Sequence, residues 1–385
     1  SRTQAMATKI ANPFVVGRYI SAEYFCDRRE ETEFLKKSVE NGRDVAIISP
    51  RRLGKSGLIE HFFASDFVRG EYIPIFIDIY ATSSQSELIS LLGHAVFRAM
   101  LNEKKSYWRK FVESVKSLRP NISIDPISGQ PSFGISAATI TEPELTLNEI
   151  FTFLESAPRP CIIAIDEFQE ISTYPEERTE ALLRTLVQRC SSTRFIFAGS
   201  AESMMNNIFN SPKKPFYQSC LTLGLKPIPL EEYTRFAMNL FADYGKQATP
   251  EIIAEVYNSM SGITWFVQMM MNELFAITPA GAVTDSASLP VAEKNIIGVQ
   301  EFSYRELMSR LSPRQRVLAS FLAREGAVQN ITSGSVLQAS GFPSTASLQS
   351  ALKGLRAHGL ITTTGTHTAL YDHFFARWLS TQPQY

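Results

Sequence analysis

The chain has 385 residues, of which 44% are hydrophobic and 20% charged, a composition typical of a globular protein with two or three domains. Lys and Arg total 38, and so do Asp and Glu, so the formal net charge is zero. The whole chain therefore has no general electrostatic attraction to nucleic acid or to an anionic membrane. No apolar run reaches the 18 or so residues that a membrane-spanning helix needs, so we expect no membrane partner.

The cysteines and the first residues predict a cytoplasmic setting. Cys26, Cys161, Cys190 and Cys220 are far apart and form no C-x-x-C pair, which argues against a metal site or a disulfide framework. Residues 1–10 lack the apolar core of a signal peptide.

The first part of the chain alternates between predicted helices and strands. Asp27 is a candidate N-cap for a first helix, because Glu30 and Glu31 follow in its first turn. Uninterrupted apolar runs predict buried strands at 45–48, 73–79, 161–166 and 194–200, with a short strand near 222. Helical patterns lie between them at 57–63, 86–117, 146–156 and 176–190. This alternation predicts an α/β fold, with a parallel sheet covered by helices on both faces.

The segment after the first strand resembles a phosphate-binding loop. Residues 49–56 have the sequence SPRRLGKS between a strand and a helix, close to the pattern G-x-x-x-x-G-K-[ST]. Backbone N–H groups of such a loop favour an anion, and Lys55 adds a positive charge for the β- and γ-phosphates. The Ser56 hydroxyl is a candidate Mg²⁺ ligand. Ser49 stands where the pattern has glycine, and the alternative is a plain turn before a helix with an incidental surface lysine.

A second motif follows the strand at 161–166. Its two carboxylates, Asp166 and Glu167, stand at the end of a strand, where ligands bind in open α/β sheets. Asp166 is a candidate to hold Mg²⁺ through water, and Glu167 is a candidate general base for an attacking water. The alternative is an acidic pair that caps a helix. At the end of the next strand, Ser200 is a candidate γ-phosphate sensor, although Gly199-Ser200 is also an ordinary turn sequence.

Residues 119–147 interrupt this alternation. Pro120, Pro126, Pro131 and Pro143 disfavour a helix, and Ser128-Gly129-Gln130 predicts the turn of a β-hairpin. We interpret this segment as an insertion in the α/β domain.

The remainder of the chain predicts two smaller domains. Helical patterns at 231–241, 250–260 and 265–275 predict a lid-like bundle, and 279–288 reads as a linker before a helix at 293–311. Three further helices, at 313–324, 333–340 and 344–358, precede a β-hairpin at 360–371, an order typical of a winged helix. The predicted domains are therefore an ATPase core at 1–228, a lid at 229–290 and a winged helix at 291–385.

The winged helix suggests a partner. Its third helix carries Lys353, Arg356 and His358, but the module has few cations that could contact phosphates. We therefore expect a protein partner at the winged helix or the lid, and keep DNA binding as the alternative.

Five short segments of the chain form a recognisable set: Asn12-Pro13-Phe14, Asp27-Arg28-Arg29-Glu30, Pro50 to Ser56, Ile165-Asp166-Glu167-Phe168-Gln169, and the tail with Asp372 and Trp378-Leu379. Together they resemble one family, the prokaryotic AAA-related ATPases of the STAND class with a P-R-R-x-G-K-[ST] loop. The resemblance covers most of the chain in the order core, lid, winged helix. It implies binding of ATP or ADP with Mg²⁺, and slow hydrolysis coupled to domain rearrangement.

The resemblance also implies positions for the nucleotide. Asn12, Pro13, Phe14 and Arg28 would lie near the adenine and ribose. The loop would supply the phosphate contacts, through Arg51, Arg52, Leu53, Gly54, Lys55, Ser56 and Gly57. Arg51 and Arg52 could instead pair with carboxylates or simply face solvent. The chain departs from the family at Ser49 and at residues 261–264, where related switch ATPases carry Gly-x-Pro.

Three functions remain open from the sequence. An ATP-driven molecular switch is the leading hypothesis, and a DNA-binding regulator that holds nucleotide as a structural cofactor is the main alternative. A small-molecule or protein kinase is the third. The acidic pair favours activation of water over a kinase, and the absence of an N-K-x-D motif favours ATP over GTP.

Overall fold

The computed structural model describes residues 9–104, 106–118 and 121–383, with the side chain of Asn121 left out. The chain divides into two units, one formed by Gly17–Glu232 and the other by the residues up to Val16 together with those from Tyr233 onward. The predicted domain boundaries at about 228 and 290 stay predictions, and Pro120 of the predicted insertion lies outside the described residues. Within the described ranges, no helix is both long and apolar enough to cross a bilayer.

The first unit is built on a five-stranded parallel sheet. Its strands are β1 Val45–Ile48, β2 Ile73–Asp78, β5 Cys161–Asp166, β6 Arg194–Gly199 and β7 Leu221–Gly224, with β3 Asn121–Ile124 and β4 Pro131–Gly134 forming a separate hairpin. The sheet order is β2-β5-β6-β1-β7, and every pair in it is parallel. The predicted α/β sheet is therefore confirmed.

Helices cover both faces of this sheet. They are α1 Arg29–Glu40, α2 Lys55–Phe63, α3 Asp66–Glu71, α4 Gln85–Glu103, α5 Tyr107–Ser114, α6 Pro143–Glu155, α7 Thr179–Arg189 and α8 Glu202–Asn210. One core cluster contains Leu58 and Phe62 of α2, and a second contains Leu88 of α4 and Ile150 of α6. Strands β1, β5 and β6 are buried along their whole length, which explains why their sequences are continuous apolar runs.

Three local predictions in this unit need correction, and further elements were not predicted. Asp27 does not cap α1, because both Asp27 and Arg28 adopt left-handed backbone conformations and Arg28 occupies the N-cap without a side-chain cap. The helical region predicted at 86–117 is two helices, because the backbone at Lys104 is extended. Pro143 begins α6 rather than preventing a helix, since proline fits the first helical position. A 3₁₀ segment, Phe168–Thr173, and helix α8 were not predicted.

The second unit is mainly helical. Its helices are α9 Leu230–Asp243, of which the part from Tyr233 onward belongs to this unit, α10 Pro250–Ser259, α11 Thr264–Ile277, α12 Ser288–Ser309, α13 Pro313–Glu325, α14 Gly334–Ser340, α15 Thr345–Ala357 and α16 His373–Ser380. A small antiparallel sheet has the order β8-β10-β9, from β8 Val328–Gln329, β9 Ile361–Thr364 and β10 His367–Leu370. The three helices α13 to α15 and this sheet form the predicted winged helix. The segment between α11 and α12 has the same length as the linker predicted at 279–288, but α12 begins at Ser288, five residues before the helix predicted at 293–311.

Candidate functional site

The P-loop side chains lie at the carboxyl edge of the sheet, between β1 and the start of α2. Gly54 has a left-handed backbone with φ 89°, a conformation that glycine adopts without a steric penalty. Helix α2 then begins at Lys55, so its first N–H groups open toward the loop. Ser49 lies outside the left-handed region, so this position does not require the glycine of the general pattern. Its buried hydroxyl donates to the Pro50 carbonyl oxygen at 2.8 Å.

Lys55 lies between the two carboxylates at the end of β5, those of Asp166 and Glu167. Its Nζ is 2.8 Å from Asp166 Oδ1 and 2.6 Å from Glu167 Oε1. Burial alone would lower the pKa of Lys55, but the charges and hydrogen bonds of Asp166 and Glu167 outweigh it and raise the pKa. Lys55 therefore stays protonated at neutral pH and carries a fixed positive charge at this edge of the sheet.

Ser56 and Asp166 form the second pair of the site. The Ser56 hydroxyl donates to Asp166 Oδ2 at 2.5 Å, and Asp166 is buried at the end of β5. No group of three or more Cys, His, Asp or Glu in the described chain could hold a metal ion by itself. A hydroxyl and one carboxylate nevertheless fit Mg²⁺, which proteins usually bind through one or two carboxylates together with substrate phosphates.

Glu167 is held in a strained position by several contacts. Its backbone is left-handed, with φ 55° and ψ 40°, which is uncommon for a residue with a side chain. Ser200 Oγ donates to Glu167 Oε2 at 3.0 Å, and Gln169 Nε2 donates to the same oxygen at 2.6 Å. Burial alone would raise the pKa of Glu167, but Lys55 and then the bonds from Gln169 and Ser200 lower it overall. The carboxylate is therefore ionised at neutral pH, as a general base must be.

The strand order explains why these residues meet. Strand β6 lies between β1 and β5, so Ser200, directly after β6, lies between the P-loop and the Asp166–Glu167 pair. The structure thus brings together five of the predicted site residues, namely Lys55, Ser56, Asp166, Glu167 and Ser200.

Arg28 is buried and contacts the backbone of the P-loop. Its guanidinium is buried and donates to the carbonyl oxygens of Leu53 at 2.8 Å and Lys226 at 2.7 Å, and it pairs with Glu31 at 3.1 Å. These bonds tie the P-loop to the segment that follows β7. A role for Arg28 at the ribose stays a prediction.

The other predicted contacts have different surroundings. Arg51 and Arg52 are exposed in the loop, while Leu53 is buried. A Cβ atom at Gly57, in the first turn of α2, would lie 3.4 Å from the Phe25 ring, which is an ordinary contact. The structure places these residues in or beside the loop, and their contacts with nucleotide stay predictions.

Asn12, Pro13 and Phe14 belong to the second unit. The Phe14 ring is fully buried, with ring centroids 5.4 Å from Phe241 and 6.0 Å from Phe275. Asn12 Nδ2 donates to the Asn272 carbonyl at 2.9 Å, and Asn272 Nδ2 donates to the Phe14 carbonyl at 2.8 Å. These bonds fasten the N-terminal segment to α11, and contact of these residues with adenine stays a prediction.

Sequence reasoning missed two side chains of the site. Gln169 was part of a motif but received no role, although its amide contacts Glu167. Asp78 ends β2 in register with Asp166 on β5, and its pKa is raised by burial and by the neighbouring Asp166 and Glu167 charges. An apolar run that ends in an acid was the signal used for Asp166, and it would have found Asp78 as well.

Comparisons with known proteins agree with this geometry. The family described as "ATPase domain predominantly from Archaea" matches residues 25–270, and the family described as "Probable winged helix domain" matches residues 302–381. A search of the curated proteins gave no match.

The fold is similar to several solved structures. A Walker-type ATPase of Pyrococcus abyssi has a TM-score of 0.64 at 18% identity, covering 95% of this chain and 99% of that one. The Aeropyrum pernix ORC2 protein, solved as ADPNP–ADP complexes, has a TM-score of 0.59 at 13% identity, covering 95% of each chain. The Aeropyrum pernix ORC1 protein in complex with DNA has a TM-score of 0.51 at 11% identity, covering 92% of each chain. At these identities the likeness shows the fold.

The archaeal ATPase match spans more than half of the chain and contains the P-loop, the acidic pair and Ser200. The chain therefore belongs to the family of ATPase domains found predominantly in Archaea, and it is a P-loop ATPase with a C-terminal winged helix.

Proposed function

We propose that the protein binds ATP with Mg²⁺, hydrolyses it slowly and acts as a nucleotide-controlled molecular switch of the STAND class. The observation that carries this proposal is the connected group at the carboxyl edge of the sheet, in which Lys55 and Ser56 contact Asp166 and Glu167. These are the residue types that hold phosphate, metal and attacking water in P-loop enzymes.

The binding roles follow from charge and position. The N–H groups at the start of α2 and the Lys55 ammonium would hold the β- and γ-phosphates. Ser56 and Asp166 would hold Mg²⁺, which would neutralise charge on the phosphate oxygens. The buried contacts of Arg28 with Leu53 and Lys226 would keep the loop in position for these bonds.

Glu167 would act in the hydrolytic step. It would take a proton from a water molecule while the water oxygen bonds to the γ-phosphorus and the bond to the ADP oxygen breaks. The γ-phosphate would compete with Glu167 for Lys55, since Lys55 Nζ lies 2.6 Å from Glu167 Oε1. Ser200, which donates to Glu167, would keep the carboxylate oriented during this exchange.

The switch requires two arrangements of the chain that bind nucleotide with different affinity. The predicted core, lid and winged helix, at 1–228, 229–290 and 291–385, are the proposed moving parts. Within the second unit, Arg377 of α16 pairs with Glu293 of α12 and donates to the Ser259 carbonyl of α10. These bonds join the lid helices to the winged helix, so we propose that a displacement of the lid carries the winged helix with it.

The test is isothermal titration of the purified chain with ATP and with ADP in the presence of Mg²⁺, after removal of any co-purified nucleotide. We expect micromolar or tighter binding that Lys55→Ala weakens at least 100-fold, because the loss removes the cation that pairs with the phosphates and leaves the charges of Asp166 and Glu167 unpaired beside them. Lys37→Ala is the matched control, since Lys37 is an exposed lysine on α1. Equal affinity of the Lys55→Ala and Lys37→Ala variants would overturn the proposal.

A second candidate function is nucleotide-dependent DNA binding through the winged helix. The sequence holds no Asp or Glu between Glu325 and Asp372, a stretch that covers α14, α15 and the β-hairpin. Lys353 and Arg356 are exposed on α15, and Arg356 donates to Thr363 of β9. A surface without carboxylates does not repel phosphates. The structurally similar ORC1 protein was solved in complex with DNA. A protein partner at the same surface or at the lid remains our first choice.

A further inference from the structure

Gln169 is a buried amide whose nitrogen is hydrogen-bonded but whose oxygen is not. It lies two residues after Glu167 in the 3₁₀ segment Phe168–Thr173, and 4% of it is exposed. Its Nε2 donates to Glu167 Oε2 at 2.6 Å, while its Oε1 has no hydrogen-bond partner within the described part of the chain. A buried carbonyl oxygen without a partner costs stability, so packing alone does not account for a glutamine here.

The buried Gln268 of α11 shows the ordinary arrangement. Its Oε1 accepts from the Tyr233 hydroxyl at 2.5 Å, and its Nε2 donates to the Val15 carbonyl at 3.0 Å. Both ends of that amide are satisfied, as is usual for a structural glutamine. Gln169 differs because its one bond goes to the proposed general base.

The end of β6 is shaped around Gln169. A Cβ atom at Gly199 would lie 2.3 Å from Gln169 Oε1 and 2.6 Å from Met205, distances that no real contact reaches. Only glycine at 199 leaves room for the Gln169 side chain in this position. The next residue, Ser200, donates to Glu167 as well. Residues that follow β5 and β6 thus both bind the Glu167 carboxylate.

We propose that Gln169 is a positioning residue that fixes which oxygen of Glu167 takes the proton. Its amide holds Oε2, and this leaves Oε1, now 2.6 Å from Lys55, directed toward the phosphate site. When Lys55 turns to the γ-phosphate, Gln169 and Ser200 are the bonds that keep the carboxylate in place. This inference rests on the proposed role of Glu167 as general base.

The first test compares Gln169→Met and Gln169→Asn with the parent chain. Methionine keeps the volume without the donor, and asparagine keeps an amide that is one methylene too short. We expect kcat for ATP to fall on the order of 10- to 100-fold in both variants, because the base loses its alignment. The affinity for ATP, measured by titration calorimetry, should stay within about twofold, because Gln169 contacts no proposed phosphate ligand. Gln85→Met is the matched control, since buried Gln85 donates to Thr179 and not to Glu167.

The pH profile of kcat separates positioning from a merely structural role. Loss of a donor to the carboxylate destabilises its charged form, so the acid limb should move to higher pH in both variants. An unmoved limb, or a normal kcat in Gln169→Asn, would overturn the inference.

A double-variant cycle separates the inference from the proposed function. Adding Gln169→Met to Glu167→Gln should cost no further activity, because the residue that it positions is already disabled. An equal loss in both backgrounds would show that Gln169 acts independently and would overturn the inference. Full hydrolysis by Glu167→Gln alone would instead overturn the role of Glu167, on which the inference rests.

Discussion

At the scale of single residues, Glu167 shows how local strain and electrostatics combine. Its left-handed backbone is unfavourable by about 1–3 kcal/mol for a residue with a side chain. Hydrogen bonds from Lys55, Gln169 and Ser200 hold the Glu167 side chain in place, and so hold the residue in this backbone conformation. Strain of this kind concentrates at functional sites, where the surrounding bonds enforce it.

Glu167→Gln tests the base directly. We expect the affinity for ATP to be equal to or higher than that of the parent chain, because Lys55 is released from its ion pair with Glu167. The rate of hydrolysis should fall about 10²- to 10⁴-fold, because an amide cannot accept the proton. Calorimetry and steady-state phosphate release measure the two effects. Glu170→Gln, in the same 3₁₀ segment, is the control. Hydrolysis at the parent rate in Glu167→Gln would remove Glu167 from the mechanism.

At the scale of elements, the C-terminal residue of α6 organises the loop before β6. The Glu155 carboxylate accepts from the backbone N–H groups of Ser191 at 2.8 Å and Thr193 at 3.1 Å, and from the Ser191 hydroxyl at 2.9 Å. Burial alone would raise the pKa of Glu155, but these hydrogen bonds lower it to about 2. This loop sets the start of β6, the strand that ends at Ser200.

Glu155→Gln should therefore make the stability less dependent on pH. The folded pKa of about 2 lies below the unfolded pKa of about 4.3, so the carboxylate stabilises the fold fully above the unfolded pKa and loses this contribution as the pH falls toward 2. We expect a free energy of unfolding lower by about 1 kcal/mol at pH 7, and a smaller difference at pH 3.5. Urea denaturation at both pH values measures this, with the exposed Glu177→Gln as control. A difference that grows as the pH falls would contradict the assignment.

The strands and helices differ in how well they could be predicted from the sequence. Strands β1, β5 and β6 were predictable because both faces are buried and their residues are therefore continuously apolar. Helix α8 was missed because its sequence contains three asparagines, which are poor helix formers, and strand β8 was missed because two residues carry no periodicity.

The same limit applies to the site. Lys55, Asp166 and Ser200 were found from their positions at or after the ends of strands, and the sheet order β5-β6-β1 places these strand ends side by side. The bond from Gln169 to Glu167 and the space that Gly199 leaves depend on the fold of the 3₁₀ segment, whose residues show no periodic pattern.

At the scale of the whole molecule, the zero net charge argues against strong binding to a polyanion, while the acid-free stretch between Glu325 and Asp372 permits weak binding. Two exposed cations on α15, Lys353 and Arg356, can neutralise about two phosphates. The slope of log K against log salt should then be about −2, which corresponds to weak, easily screened binding.

We therefore expect duplex DNA to bind weakly at low salt and to be released near physiological salt. Lys353→Glu and Arg356→Glu should each reduce the affinity for DNA and make it less dependent on salt. Fluorescence anisotropy with labelled duplex, at several salt concentrations and with ATP or ADP, measures this. Sub-micromolar binding that persists at 0.2 M salt would instead make DNA recognition the main output of the winged helix. In that case the two binding events must affect each other equally. If nucleotide changes the affinity for DNA by some factor, DNA must change the affinity for nucleotide by the same factor. The Lys55→Ala variant should show neither change.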